Sequence, residues 1–244
     1  MDNELRLQLG ANAQQQARLQ ALQSGFAELC NAIAPTVQQT RVWNRVALHH
    51  MVYRSMRERF PAMGSQMVCN AVYAVSRTAR LIFQTSGSPF HHSRLADRPL
   101  PLFRFTDRCP VFFDRHTLSV KGRQMSMFTL DGRMKFELML TPQQVAAFEG
   151  RRILEMMLVR VGERFELRIQ FDPQQAPAER APAELASASA RDPSRATHAA
   201  DPPESAVLPP WPAAKALERP TAFSAPPAPP VPLDHFLELE EAAP

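Results

Sequence analysis

The apolar residues of this chain change their spacing once, and that change constrains the fold more than any other feature. Up to Gln84 they recur every three or four positions; from Val111 onward they recur every second position. The first spacing is one face of an α-helix, and the second is one face of a β-strand. One piece breaks the order. Glu4-Leu5-Arg6-Leu7-Gln8-Leu9 also alternates, before Gly10 and Asn12 interrupt it. The chain therefore reads as one strand, three helices, and then the rest of a β domain. The first strand is expected in the same sheet as residues 111–171, which makes the helices an insertion into a barrel.

The first helix is expected from about Ala13, with Leu19, Leu22, Phe26, Leu29 and Ile33 on its apolar face and Pro35 as its end. A second spans about residues 40–60, with Val42, Val46, His49, Tyr53, Met56 and Phe60 as its stripe. Ser65 caps a third, which runs to about Gln84 over Val68, Val72, Val75, Ala79 and Ile82. Residues 90–110 read as loop around one extended piece at 102–105. Strands follow at 111–113, 117–120, 124–130, 133–140, 153–161 and 164–171. Asp131-Gly132 marks a hairpin. Thr141-Pro142-Gln143-Gln144 carries the cap, the N1 proline and the N3 glutamine of a capping box. The fold class is α+β: a small antiparallel, wedge-like β-barrel with an inserted three-helix lobe, followed by a disordered Pro/Ala-rich tail. The expected organisation is a first barrel strand in 1–10, the helical lobe in 11–86, the β-barrel domain in 87–172 and the tail in 173–244.

Composition supports the last boundary. Residues 173–244 hold 16 of the 23 prolines and carry 5 basic against 10 acidic side chains. Such a segment cannot bury enough apolar surface to offset its ordering entropy. Residues 1–172 carry 23 basic against 14 acidic side chains, and the basic ones are almost all arginine. One island in the tail stands out, at 231–241. It is acidic and apolar, and it reads as a short docking helix for a protein partner through Leu233, Phe236, Leu237 and Leu239.

Other classes are excluded on simple counts. No run approaches the ~18 apolar residues of a membrane span. Met1-Asp2-Asn3-Glu4 lacks the basic region of a signal peptide. Cys30, Cys69 and Cys109 are too scattered for a disulfide framework or a zinc motif, so they read as reduced thiols of a cytoplasmic protein. The pairs His49-His50 and His91-His92 do not chelate well, because neighbouring helical side chains diverge by about 100°. His49 falls on the apolar stripe and reads as a core residue. Asp114, His116 and Ser119 lack the motif of a hydrolase. The strand methionines Met125, Met127, Met134, Met139, Met156 and Met157 read as core filler.

Several segments resemble the N-terminal part of the OrfB/TnpB transposon proteins, which are relatives of the type V CRISPR effector nucleases. The opening strand, followed by Gln14 to Gln16, Leu19 and Phe26-Ala27-Glu28-Leu29-Cys30-Asn31, is similar to that family's opening. Phe60-Pro61-Ala62-Met63-Gly64-Ser65-Gln66-Met67-Val68 resembles its helix junction. Leu118-Ser119-Val120 through Asp131-Gly132-Arg133-Met134-Lys135 resembles its hairpin segment, and residues 165–171 its last strand before the nuclease. The resemblance covers about residues 4–172. It implies a wedge barrel interrupted by a recognition lobe, binding a guide RNA and the DNA motif beside the target. The family's nuclease domain has no counterpart here. Asp172 ends a strand, while Asp192 and Asp201 have no strand around them, so no carboxylate set for two-metal chemistry is expected.

The arginines argue for nucleic acid independently of that resemblance, because guanidinium forks suit phosphates and stack on bases. Arg54, Arg57 and Arg59 cluster at the end of the second helix. Asn70, Tyr73, Arg77 and Arg80 share one polar face of the third. Arg94, Arg98, Arg104, Arg108 and Arg115 form a basic series beside Phe103 and Phe105. The expectation is a non-catalytic protein that binds structured RNA, duplex DNA or both. It needs no cofactor, takes no small-molecule substrate and touches no membrane. The alternative is an adaptor that uses its basic core and its acidic tail motif to bind proteins.

Overall fold

The computed structural model describes residues 3–95, 98–173 and 237–240. The first helix, α1 (Ala13–Thr40), opens on a capping box. Asn12 Oδ1 accepts from the Gln15 N–H at 2.9 Å, and the Asn12 N–H donates to Gln15 Oε1 at 3.0 Å. The apolar face expected from the sequence is wholly buried. Pro35 does not end the helix but lies within it. A proline there removes one backbone bond at a cost of about 3 kcal/mol. Burial of Ile33, Ala34 and Val37 around it offsets that cost. The helix stops at Arg41, whose backbone turns left-handed (φ 54°) while its N–H still reaches the Val37 carbonyl.

The second helix, α2 (Arg45–Arg59), is shorter than expected, because Asn44 caps it through the N–H groups of Val46 and Ala47. Its buried stripe is Leu48, Val52 and Met56. Val46, placed on the stripe by periodicity, is instead 65% exposed. The third helix, α3 (Ser65–Gln84), buries the five residues expected of it. Its cap is Gly64, and Ser65 is its first residue.

The remaining elements are β1 (Glu4–Gln8), α4 (His92–Leu95), β2 (Leu102–Phe105), β3 (Val111–Phe113), β4 (Leu118–Lys121), β5 (Gln124–Thr129), β6 (Gly132–Glu137), α5 (Pro142–Gly150), β7 (Ile153–Val161), β8 (Arg164–Phe171) and β9 (Leu237–Glu240). β1 does join the later sheet. It pairs with β8 from Glu4↔Gln170 to Gln8↔Glu166, and the strand order is β1-β8-β7-β3.

The expected closed barrel does not form. The strands make three separate antiparallel sheets: β1-β8-β7-β3, β4-β5-β6 and β2-β9. One physical reason lies in α1. Its amides take the backbone places that neighbouring strands of a barrel would take. Asn31 Nδ2 donates to the Phe105 carbonyl (2.9 Å), and the Phe105 N–H donates to Asn31 Oδ1 (2.7 Å). Gln23 and Gln38 donate to the carbonyls of Cys109 and Leu100. Successive spacings of eight and seven put these three amides on one helix face. They fasten residues 100–109 antiparallel along the helix.

Smaller differences follow the register. Thr129 pairs with Gly132, so the β5–β6 loop is Leu130-Asp131, one residue earlier than expected. Asp131 Oδ1 accepts from Thr129 Oγ1 and from Arg18 Nε, which ties the hairpin to α1. Met139 is 91% exposed and not core filler, because Leu138 and Leu140 on either side point inward. The capping box of α5 forms as read. In the tail, Leu233 and Phe236 lie outside the described residues. Leu237 and Leu239 belong to a strand, not to the expected helix, and that strand pairs with β2.

Candidate nucleic-acid interface

α3 carries the residue types that nominated it, but they meet two different surroundings. Asn70 is 5% exposed, and its Nδ2 donates to Thr117 Oγ1 at 3.3 Å. The Tyr73 hydroxyl donates to Glu155 Oε1 on β7 at 2.7 Å, and Arg77 Nε lies 3.3 Å from the same oxygen. The Arg77 guanidinium sits over Phe112, and the Tyr73 ring meets Phe112 edge-on. Burial, reinforced by the Glu155 charge and hydrogen bond, pushes the Tyr73 phenol up to about 12. At neutral pH it is therefore a neutral donor. Asn70 thus ties α3 to the β3–β4 turn, and Tyr73 and Arg77 tie it to β7, so the three do not form an open reading face.

One turn further on, Arg80 is exposed. Its Nη2 donates to Ser76 Oγ (3.2 Å), and Ser76 Oγ donates to the Trp43 carbonyl (2.6 Å). Arg80 thereby lines a groove with Arg41, Trp43, Arg45, Val46 and Gln84. Trp43 forms a half-buried wall of the groove and packs on Phe83 and His92. The Arg45 guanidinium lies 5.3 Å from the Tyr73 ring centre. Among the described residues no carboxylate pairs with Arg45 or Arg80.

The groove exists because α1 ends in the left-handed residue Arg41 and α2 begins at the Asn44 cap. The non-helical residues between them leave Arg41 and Arg45 exposed. Sequence reading missed Arg41, Trp43 and Arg45 by drawing α2 through them. The available signal was Asn44, a good N-cap residue.

The other nominated arginines are dispersed. Arg54 pairs with Glu58 on the exposed side of α2, Arg57 donates to the Met63 carbonyl, and Arg59 lies over Phe60. Arg94 is exposed on α4, and Arg98 is exposed just before Pro99. Arg104 is exposed on β2, Arg108 in the turn after it, and Arg115 in the β3–β4 turn, where it bonds His116. Phe103 and Phe105, expected as stacking partners, are core residues. His49 stacks on Tyr53, and burial, with His50 and Arg45 nearby, lowers its proton affinity. Burial pushes the Cys109 thiol up to about 12 and raises Cys30 as well. Among the described residues no group of His, Cys, Asp and Glu could hold a metal ion, and no helix is long and apolar enough to cross a membrane.

No protein-family model matches the chain, and no curated protein matches it.

Proposed function

We propose that this protein binds nucleic acid without cleaving it, and that the groove of Arg41, Trp43, Arg45 and Arg80 is its contact. The observation that carries the reading is the setting of Arg45 and Arg80. Two guanidiniums without carboxylate partners among the described residues flank an indole. Guanidiniums fork onto phosphate oxygens, and an indole offers a stacking platform for a base. Stacking needs an unpaired base, which favours a looped RNA over an intact duplex. The basic surplus of residues 1–172 supplies long-range attraction. The resemblance to the wedge and recognition part of the OrfB/TnpB proteins points the same way. In this reading the chain occupies its ligand and performs no chemistry on it.

The test is a titration of labelled stem-loop RNA, and of duplex DNA, against the full chain at several salt concentrations. Binding should weaken linearly with log salt as counterions are released. Arg45→Ala with Arg80→Ala should flatten that slope by about one to two. Absence of salt-dependent binding to either ligand would overturn the proposal. The adaptor reading has one specific observation in its favour, the pairing of the tail strand, which leads to a separate inference.

A further inference from the structure

β2 is fastened on two sides, to α1 along one edge and to β9 along the other. The amides of Gln23, Asn31 and Gln38 fasten residues 100–109 to α1 from one side. Because the Phe105 N–H and carbonyl both face Asn31, strand alternation turns those of Arg104 the other way. The outer edge of β2 is thus a row of main-chain donors and acceptors directed away from α1. Its side chains alternate as well: Phe103 and Phe105 are buried and Arg104 is exposed.

The strand on that edge is Leu237–Glu240 of the same chain, in antiparallel register. Leu239 stands opposite Phe103, Glu238 opposite Arg104, and Leu237 opposite Phe105. An acidic residue across from a basic one, between two apolar pairs, is a favourable cross-strand arrangement. The pairing is nevertheless short. Two strands of four residues are marginal on their own. In sequence the two strands stand far apart, with 64 steps of chain from Pro173 to Leu237.

We propose that the outer edge of β2 is an acceptor site for an extended peptide of alternating apolar and acidic residues, and that Leu237–Glu240 is its built-in, displaceable occupant. Backbone pairing supplies the binding, and the Phe-Arg-Phe alternation supplies the selectivity, as in other cases of strand addition. Because the occupant is on the same chain, it meets the edge at a local concentration that an outside peptide must exceed. A partner with the same alternation gains the site only when it is abundant or when the tail strand is removed.

The experiment uses the full chain and its Glu238→Pro variant. Proline deletes the N–H that position 238 donates to β2. Amide hydrogen exchange at Leu102 and Arg104 is measured with and without a synthetic peptide covering residues 231–244. Amides of Leu167 and Ile169 in β8 report on the integrity of the fold. The wild type should protect Arg104 at least tenfold more than the variant. The peptide should restore protection in the variant, and the same peptide carrying proline at position 238 should not. Equal protection in wild type and variant would overturn the proposal, as would a peptide that restores nothing. Protection in the wild type that disappears on dilution would also overturn it, because a second copy would then supply the strand. A variant that gains affinity for RNA but not for the peptide would show that the tail shields a nucleic-acid surface instead. Glu238→Gln keeps the N–H and should keep most of the protection, which separates backbone pairing from loss of charge.

Discussion

Arg77 and Arg80 lie one turn apart on the same helix and do different work. Arg77 is committed to Glu155, together with Tyr73, and closes the joint between α3 and β7. Arg80 is braced by Ser76 and faces a groove with no carboxylate opposite it among the described residues. The residue type is the same, so the role is set by what the neighbouring element offers. A buried carboxylate recruits a guanidinium into the structure; where none is near among the described residues, the guanidinium stays at the surface.

This contrast can be broken from either side. The largest effect should come from Glu155→Ala, which strands both the Tyr73 hydroxyl and the Arg77 charge. Removing one partner of such a pair costs about 3 kcal/mol, measurable by urea denaturation, and should leave RNA affinity unchanged below the melting transition. The next effect is pH-dependent. An unfolded Tyr73 phenol ionises near pH 10, while the folded one keeps its proton up to about 12. The extra stability is complete below pH 10 and is lost as the pH rises towards 12. Relative to Tyr73→Phe, the wild type should therefore lose about 2 kcal/mol across that window, read from paired denaturation curves. On the Arg80 side, Arg45→Ala with Arg80→Ala should weaken stem-loop RNA about tenfold in an anisotropy titration. Stability should change by less than ~0.5 kcal/mol. The smallest effect is expected at Arg54→Ala, which breaks an exposed pair with Glu58. Stability should shift by only ~0.3 kcal/mol, and affinity should not change if the groove is the binding surface.

The sequence was most legible where one face of an element is buried along its whole length. The stripes of α1 and α3, the pairing of β1 with the later sheet, and the capping box at Thr141 all follow from local pattern, whereas the box at Asn12 went unread. Helical spacing also grouped Asn70, Tyr73, Arg77 and Arg80 correctly on one face. It fixes an angle around the axis and says nothing about height along it. Thr117 and Glu155 engage Asn70, Tyr73 and Arg77, while Arg80, last on that face, is exposed. Two other features depend on distant partners. Pro35 stays helical because buried neighbours outweigh one lost bond. The run Leu-Glu-Leu-Glu at 237–240 becomes a strand by pairing with β2, a partner that no local window contains.

The pairing of β1 with β8 also has a bearing on biosynthesis. β8, the strand partner of β1 among the described residues, is made about 160 residues after it, or roughly 10–30 s later at ordinary translation rates. For that interval a strand with an apolar face has no edge to join. α1, α2 and α3 are complete long before, and they can bury their stripes against one another in the meantime. The charges of Glu4 and Arg6, joined by a bidentate ion pair in the finished sheet, lie on the waiting strand and oppose its pairing with other nascent chains.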